Sequence, residues 1–91
     1  MAKEETRAWL ERTLTEGLRP SHLEVLDESA AHAGHKGSGG GGHYRVTVVS
    51  EVFRGLSPIA RHRAVYALLG DAMQREIHAL ALSTRTPEEA S

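Results

Sequence analysis

Six histidines and no cysteine in 91 residues set the chemistry open to this chain. His32, His35 and His43 lie in or beside one glycine-rich stretch, and His78 heads an alternating apolar run near the C-terminus. Imidazole is a common metal ligand and the side chain that titrates nearest neutral pH. With no thiolate available, a soft metal or a cluster could be held only partly by this chain. The donor set points to a metal site shared with a partner rather than owned.

Each histidine also has an ordinary reading. Histidines in a polar, glycine-rich loop are usually solvated, and the H-x2-H and H-x7-H spacings of His32, His35 and His43 would make an unusual zinc site. His78 shares strand parity with Leu80 and Leu82, which fits a half-buried residue at a strand end. His62, between Arg61 and Arg63, falls near a helical apolar stripe and reads as a packing or partner-facing residue; His22 reads as surface. Nucleophilic catalysis needs an activated Ser, Cys or Lys with an oriented base. No serine sits in a recognisable elbow and no two carboxylates are paired by periodicity, so the chain is not read as an enzyme.

The elements that must position these residues follow from periodicity. Leu10, Leu14 and Leu18, with Trp9 beside them, predict a helix over 4–18 that opens on Glu4 and Glu5 and weakens at Gly17. Pro20 then biases Arg19 away from helical angles. Residues 21–28 predict a strand with Leu23 and Val25 on one face and Glu24 and Leu26 on the other. Residues 29–42 hold six of the nine glycines and predict a loop that is mobile unless something binds it. His43–Glu51 is the clearest strand, with Tyr44, Val46 and Val48 facing one side and Arg45, Thr47 and Val49 the other. A connector over 53–56 turns at Gly55. Ser57 and Pro58 start a second helix that runs to about Met73, with Ile59, Val65, Tyr66, Leu69 and Met73 as its apolar face. Ile77–Thr84 is a third strand, and from Pro87 a polar tail is expected to fray. The fold class is α+β, in the order α-β-β-α-β. The first two strands are antiparallel, a helical crossover makes a parallel pair possible, and two helices cover one face of the three-stranded sheet.

Composition bounds the function. The length makes one small domain, and the formal charge of −1 does not suggest a strong nonspecific grip on nucleic acid. The N-terminal segment has no apolar run of signal-peptide length. Nothing approaches the roughly 20 apolar residues that cross a bilayer. A cytoplasmic protein without a membrane partner is the expectation.

The blocks RHRAVYALL (61–69) and IHALAL (77–82), with HLEVLDESAAHAG (22–34) and HYRVTVVSEVFRGLS (43–57) in the same order and spacing, resemble the BolA-like proteins. The resemblance covers Thr6 to Glu89 and implies a fold similar to the class II KH fold. It also implies a heterodimer with a monothiol glutaredoxin around a bridging [2Fe-2S] cluster. The glutaredoxin supplies its cysteine, with glutathione as a further thiol ligand; no stable cluster is expected in the isolated chain.

Residue by residue, the resemblance makes His78 a metal ligand. The second ligand comes from the loop between the first two strands; without a cysteine there, this chain looks like the histidine type. His32 and His43 each match a family loop histidine, His35 has no clear counterpart, and the tetraglycine Gly39–Gly42 departs from the family loop. Docking to the partner is expected on the second helix and third strand, with Arg61, His62, Arg63 and Tyr66 as candidates.

The alternative is a KH-like nucleic-acid-binding transcriptional regulator, using basic residues such as Arg54, Arg61, Arg63, Arg75 and Arg85. Gly34-His35-Lys36-Gly37 has the spacing of the KH backbone clamp. It lies between two expected strands, whereas that clamp joins two helices, so it reads as coincidence. No small-molecule substrate is expected in either reading.

Overall fold

The computed structural model describes residues 3–28, 42–75 and 77–91. Helix α1 (Lys3–Leu18) leads into strand β1 (His22–Asp27). Strand β2 (Gly42–Val49) follows, then a 3-10 turn (Glu51–Phe53) and helix α2 (Pro58–Leu69). A short helix α3 (Ala72–Arg75), strand β3 (Ile77–Arg85) and a last helical turn α4 (Pro87–Ala90) complete the chain.

The sheet runs β1-β2-β3, with β1 antiparallel and β3 parallel to β2. The α+β architecture expected from the sequence is therefore the one formed. Alternation on β1 and β2 sends Val25, Tyr44, Val46 and Val48 to the helix side, where Leu10, Leu14 and Leu18 of α1 meet them. Val65 and Leu69 of α2, Ala72, Ile77 and the wholly buried Phe53 complete the core. Full burial of such a side chain contributes about 1.5–3 kcal/mol, which is how a small core offsets the entropy of ordering the chain.

Local chemistry sets the ends of the elements. Arg19 takes a left-handed φ of 46° before Pro20 and donates its N–H to Thr15 O at 3.0 Å, closing α1. Ser57 accepts from Ala60 N at 3.2 Å, and Pro58 sits in the first turn of α2, as the sequence predicts.

Four expectations change. Strand β2 stops at Val49: the buried Ser50 still gives its N–H to Arg85 O of β3, but its side chain turns away to the end of α1 and into the next turn. Its Oγ donates to Leu18 O at 2.5 Å and accepts from Val52 N at 3.2 Å, starting the 3-10 turn and joining the ends of α1 and β2. The second helix ends at Leu69 rather than Met73, because Gly70 adopts φ 53° and ψ −131°. Ile59 and Tyr66, expected on the apolar face, are 65% and 39% exposed; Val65, Leu69 and Ala72 do the packing. The expected fray after Thr86 is a capped helical turn. The glycine-rich loop lies outside the described residues, except for Gly42, which opens β2. Among the described residues no helix is long and apolar enough to cross a membrane.

Candidate functional site

The β2–β3 register places two of the sequence-predicted ligands side by side. Gly42 pairs with Ile77 and His43 with Ala79, so the register steps over His78 at the start of β3. The extra residue is a β-bulge, a device that breaks strand alternation and re-aims what lies beside it. Simple alternation would put Ile77 on the face of the exposed Ala79 and Ala81. The bulge instead lets Ile77, 2% exposed, join Leu80 and Leu82 on the core side.

His43 has the strand parity of Arg45 and Thr47 and is half-buried, with its Nε2 out of contact with solvent. Next to it, the ring of Tyr44 lies over Gly42: a Cβ on Gly42 would sit 2.5 Å from Tyr44 Cε2 and 2.8 Å from its hydroxyl. The last glycine of the tetraglycine run thus has a steric reason to be glycine. His32 and His35, and the Gly34–Gly37 spacing, fall outside the described residues.

The expected docking residues do not share one situation. Arg61 is an internal tie, its side chain only 12% exposed. Its Nε donates to Leu56 O at 3.0 Å and its Nη1 to Thr84 O at 3.2 Å. Two further bonds, at 2.6 and 3.1 Å, grip both oxygens of Glu89, and the guanidinium lies 6.0 Å from the centroid of the Phe53 ring. His62 is half-buried, whereas Arg63 and Tyr66 are exposed on α2.

Arg61 and Arg54 also explain the order of the tail. Thr86 and Glu89 form a reciprocal capping box, and Arg54 bonds both Glu51 and Glu88. The Arg61 guanidinium, followed by the Thr86 N–H, holds the Glu89 carboxyl down at about 2. The Arg54 guanidinium likewise lowers that of Glu88. Donor chemistry alone does not single out Glu51, Thr86, Glu88 or Glu89. The Thr86-Pro87-Glu88-Glu89 string nevertheless carries a readable capping signature, with proline at the first helical position. Of the five arginines considered for a basic patch, two are therefore matched with carboxylates, while Arg63, Arg75 and Arg85 are exposed.

Residues 14–89 match the family described as BolA-like protein. The chain belongs to the BolA-like family. This BolA-like chain is 45% identical over 80 residues to the DNA-binding transcriptional regulator BolA of Vibrio cholerae serotype O1, covering 88% of itself and 74% of that protein. It is 47% identical over 76 residues to BolA-like protein 1 of Homo sapiens, covering 84% of itself and 54% of that protein. It thus spans about half the length of the human relative. Among solved structures, the BolA domain of SufE1 from Arabidopsis thaliana superposes with a TM-score of 0.82 at 36% identity, with 98% of both chains covered. The sequence resemblance and the α+β fold are those of the family.

Proposed function

We propose that this chain is the histidine-bearing half of a heterodimer with a monothiol glutaredoxin, the two proteins holding one [2Fe-2S] cluster in iron–sulfur trafficking or iron and redox regulation. The observation that carries the reading is the adjacency of His43 and His78 on neighbouring strands, at the bulge where the register slips. This donor set fits the group. Imidazole replaces thiolate on one iron in known mixed-ligand centres, and a chain without cysteine can offer only that half. His78 and one of the loop histidines, His43 or His32, are the proposed ligands.

When bound, the cluster supplies one-electron chemistry and transferable iron. The chain supplies the platform. Strands β2 and β3 hold the histidine-bearing ends in register, Tyr44 fills the space over Gly42, and Ile77 anchors the start of β3 in the core. An imidazole nitrogen ligates only while unprotonated, so cluster retention on this side weakens as pH falls. Exposed Arg63 and Tyr66, with the half-buried His62, offer α2 as the docking face, while Arg61 holds that helix to the end of β3.

Anaerobic reconstitution with a monothiol glutaredoxin, iron, sulfide and glutathione, read by visible circular dichroism, tests the proposal. The glutaredoxin alone gives the reference. A new spectrum on adding this chain, lost in His78→Ala, supports it; an unchanged spectrum without a complex on a sizing column sinks it.

A second reading is favoured by the name of the Vibrio cholerae relative, a DNA-binding transcriptional regulator. The exposed Arg63, Arg75 and Arg85 would then serve phosphate contacts. Salt separates the two: phosphate binding falls steeply with ionic strength, whereas cluster ligation does not.

A further inference from the structure

Strand β3 ends the sheet, and its outer edge has no strand neighbour among the described residues. Ser50 N donates to Arg85 O at 2.9 Å, so Arg85 turns its backbone groups toward β2. Backbone groups alternate along a strand. Ala79, Ala81 and Ser83 therefore also serve β2, while Leu80, Leu82 and Thr84 point their N–H and C=O outward. Thr84 O is taken by Arg61 Nη1. Leu80 and Leu82 present an open ladder.

Proteins commonly guard such edges with charge, proline or a bulge. Strand β1, the other edge, carries Glu24 and Asp27 within six residues. From Ala79 to Thr84, β3 holds no charge and no proline. Its guards stand only at the ends, the bulge at His78 and the Arg61 bond at Thr84.

We infer that this edge pairs with the same edge of a second copy of the chain, antiparallel about a two-fold axis at Ala81. In that register Leu80 lies opposite Leu82 of the second copy, and each pair exchanges both of its outward N–H and C=O groups. Ala79 meets Ser83, and Arg85 meets Ile77 rather than another arginine. The bulge at His78 falls opposite Thr84, so the two guards end the ladder together on each side. No other edge or register is needed to satisfy the free groups. On the open face, exposed Ala79 and Ala81 are small enough for close approach. Half-buried Leu80 and Leu82, packed at the margin of the core, would extend one apolar layer across both copies. A ladder this short covers less than the roughly 1,000 Å² of a stable interface, so the dimer is weak and concentration-dependent.

Sedimentation equilibrium up to about 1 mM, the weak end of measurable association, tests this on the full chain. The expected result is a reversible dimer. Placing like charges opposite each other with Ala81→Lys or Ala81→Glu weakens it about fivefold. An equimolar mixture of the two variants restores it, and Glu24→Lys on the β1 edge leaves it unchanged. Independently, the Leu80 and Leu82 amides of the unmodified protein exchange more slowly with solvent as concentration rises. A chain that stays monomeric throughout overturns the inference. So does a dimer that responds to Glu24→Lys but not to Ala81→Lys. If the lysine variant fails to fold, amide exchange at Leu80 and Leu82 that does not depend on concentration has the same force.

Discussion

His43 on β2 and His78 on β3 are neighbours across the sheet at the one irregularity of the parallel pair, where the register passes from Gly42–Ile77 to His43–Ala79. In the reconstituted glutaredoxin complex, His78→Ala is expected to lose the new visible circular dichroism bands. One of His32→Ala and His43→Ala shares that loss, and His35→Ala and His62→Ala keep the bands. His43→Ala changes the spectrum in either case, because its strand position adjoins His78. A His78→Ala complex with the parent spectrum removes His78 from the ligand set.

The Arg61–Glu89 pair makes part of the stability pH-dependent. The Glu89 carboxyl lies at about 2, below its ordinary 4.5, so the unfolded chain binds more protons between these values. The contribution is present above about 4.5 and is lost as the pH falls toward 2. Glu89→Gln should lower the urea midpoint at neutral pH and flatten its fall through that window. The lowered Glu88 carboxyl, held by Arg54, leaves a smaller residual slope. A variant with the parent's slope would show that the pair does not act in solution.

Gly70 ends α2 with φ 53° and ψ −131°, a region that side chains disfavour, and its N–H donates to Tyr66 O at 3.0 Å. A Cβ there would meet nothing within 4 Å, so Gly70→Ala isolates the backbone cost. The expected loss is about 1–3 kcal/mol in chemical denaturation, with the dependence on denaturant concentration unchanged.

Gly17 marks the close approach of α1 to α2, since a Cβ on it would stand 2.6 Å from Leu68 Cδ1. Alanine favours helix over glycine by about 1 kcal/mol, and the clash falls on the mobile end of a half-buried leucine. Gly17→Ala is therefore expected to be near neutral in the parent and stabilising in a Leu68→Ala background. A double-mutant cycle on unfolding free energies measures that coupling, and strict additivity would refute the contact.

Much of the architecture was legible because it depends on period and punctuation. The Leu10-Leu14-Leu18 stripe, the alternation from Tyr44 to Val48 and the Ser57-Pro58 start each carry their own local signal, and each formed as read. The family, too, was legible in RHRAVYALL and IHALAL. Local pattern went astray where it had to choose which side of a segment faces inward. Ile59 and Tyr66 match a helical stripe as well as Val65 does, but the sheet meets only one side of α2.

By itself, then, the sequence determined the two long helices, the three strands and which atoms could ligate a metal, since backbone propensity and donor chemistry are local properties. Only the tertiary structure decided that His43 and His78 adjoin, that Arg61 braces β3 and Glu89, and that β3 keeps an open edge. Those relations depend on register and on packing between segments distant in the chain. A one-residue slip at His78 reverses strand parity, and no local pattern encodes where that slip falls.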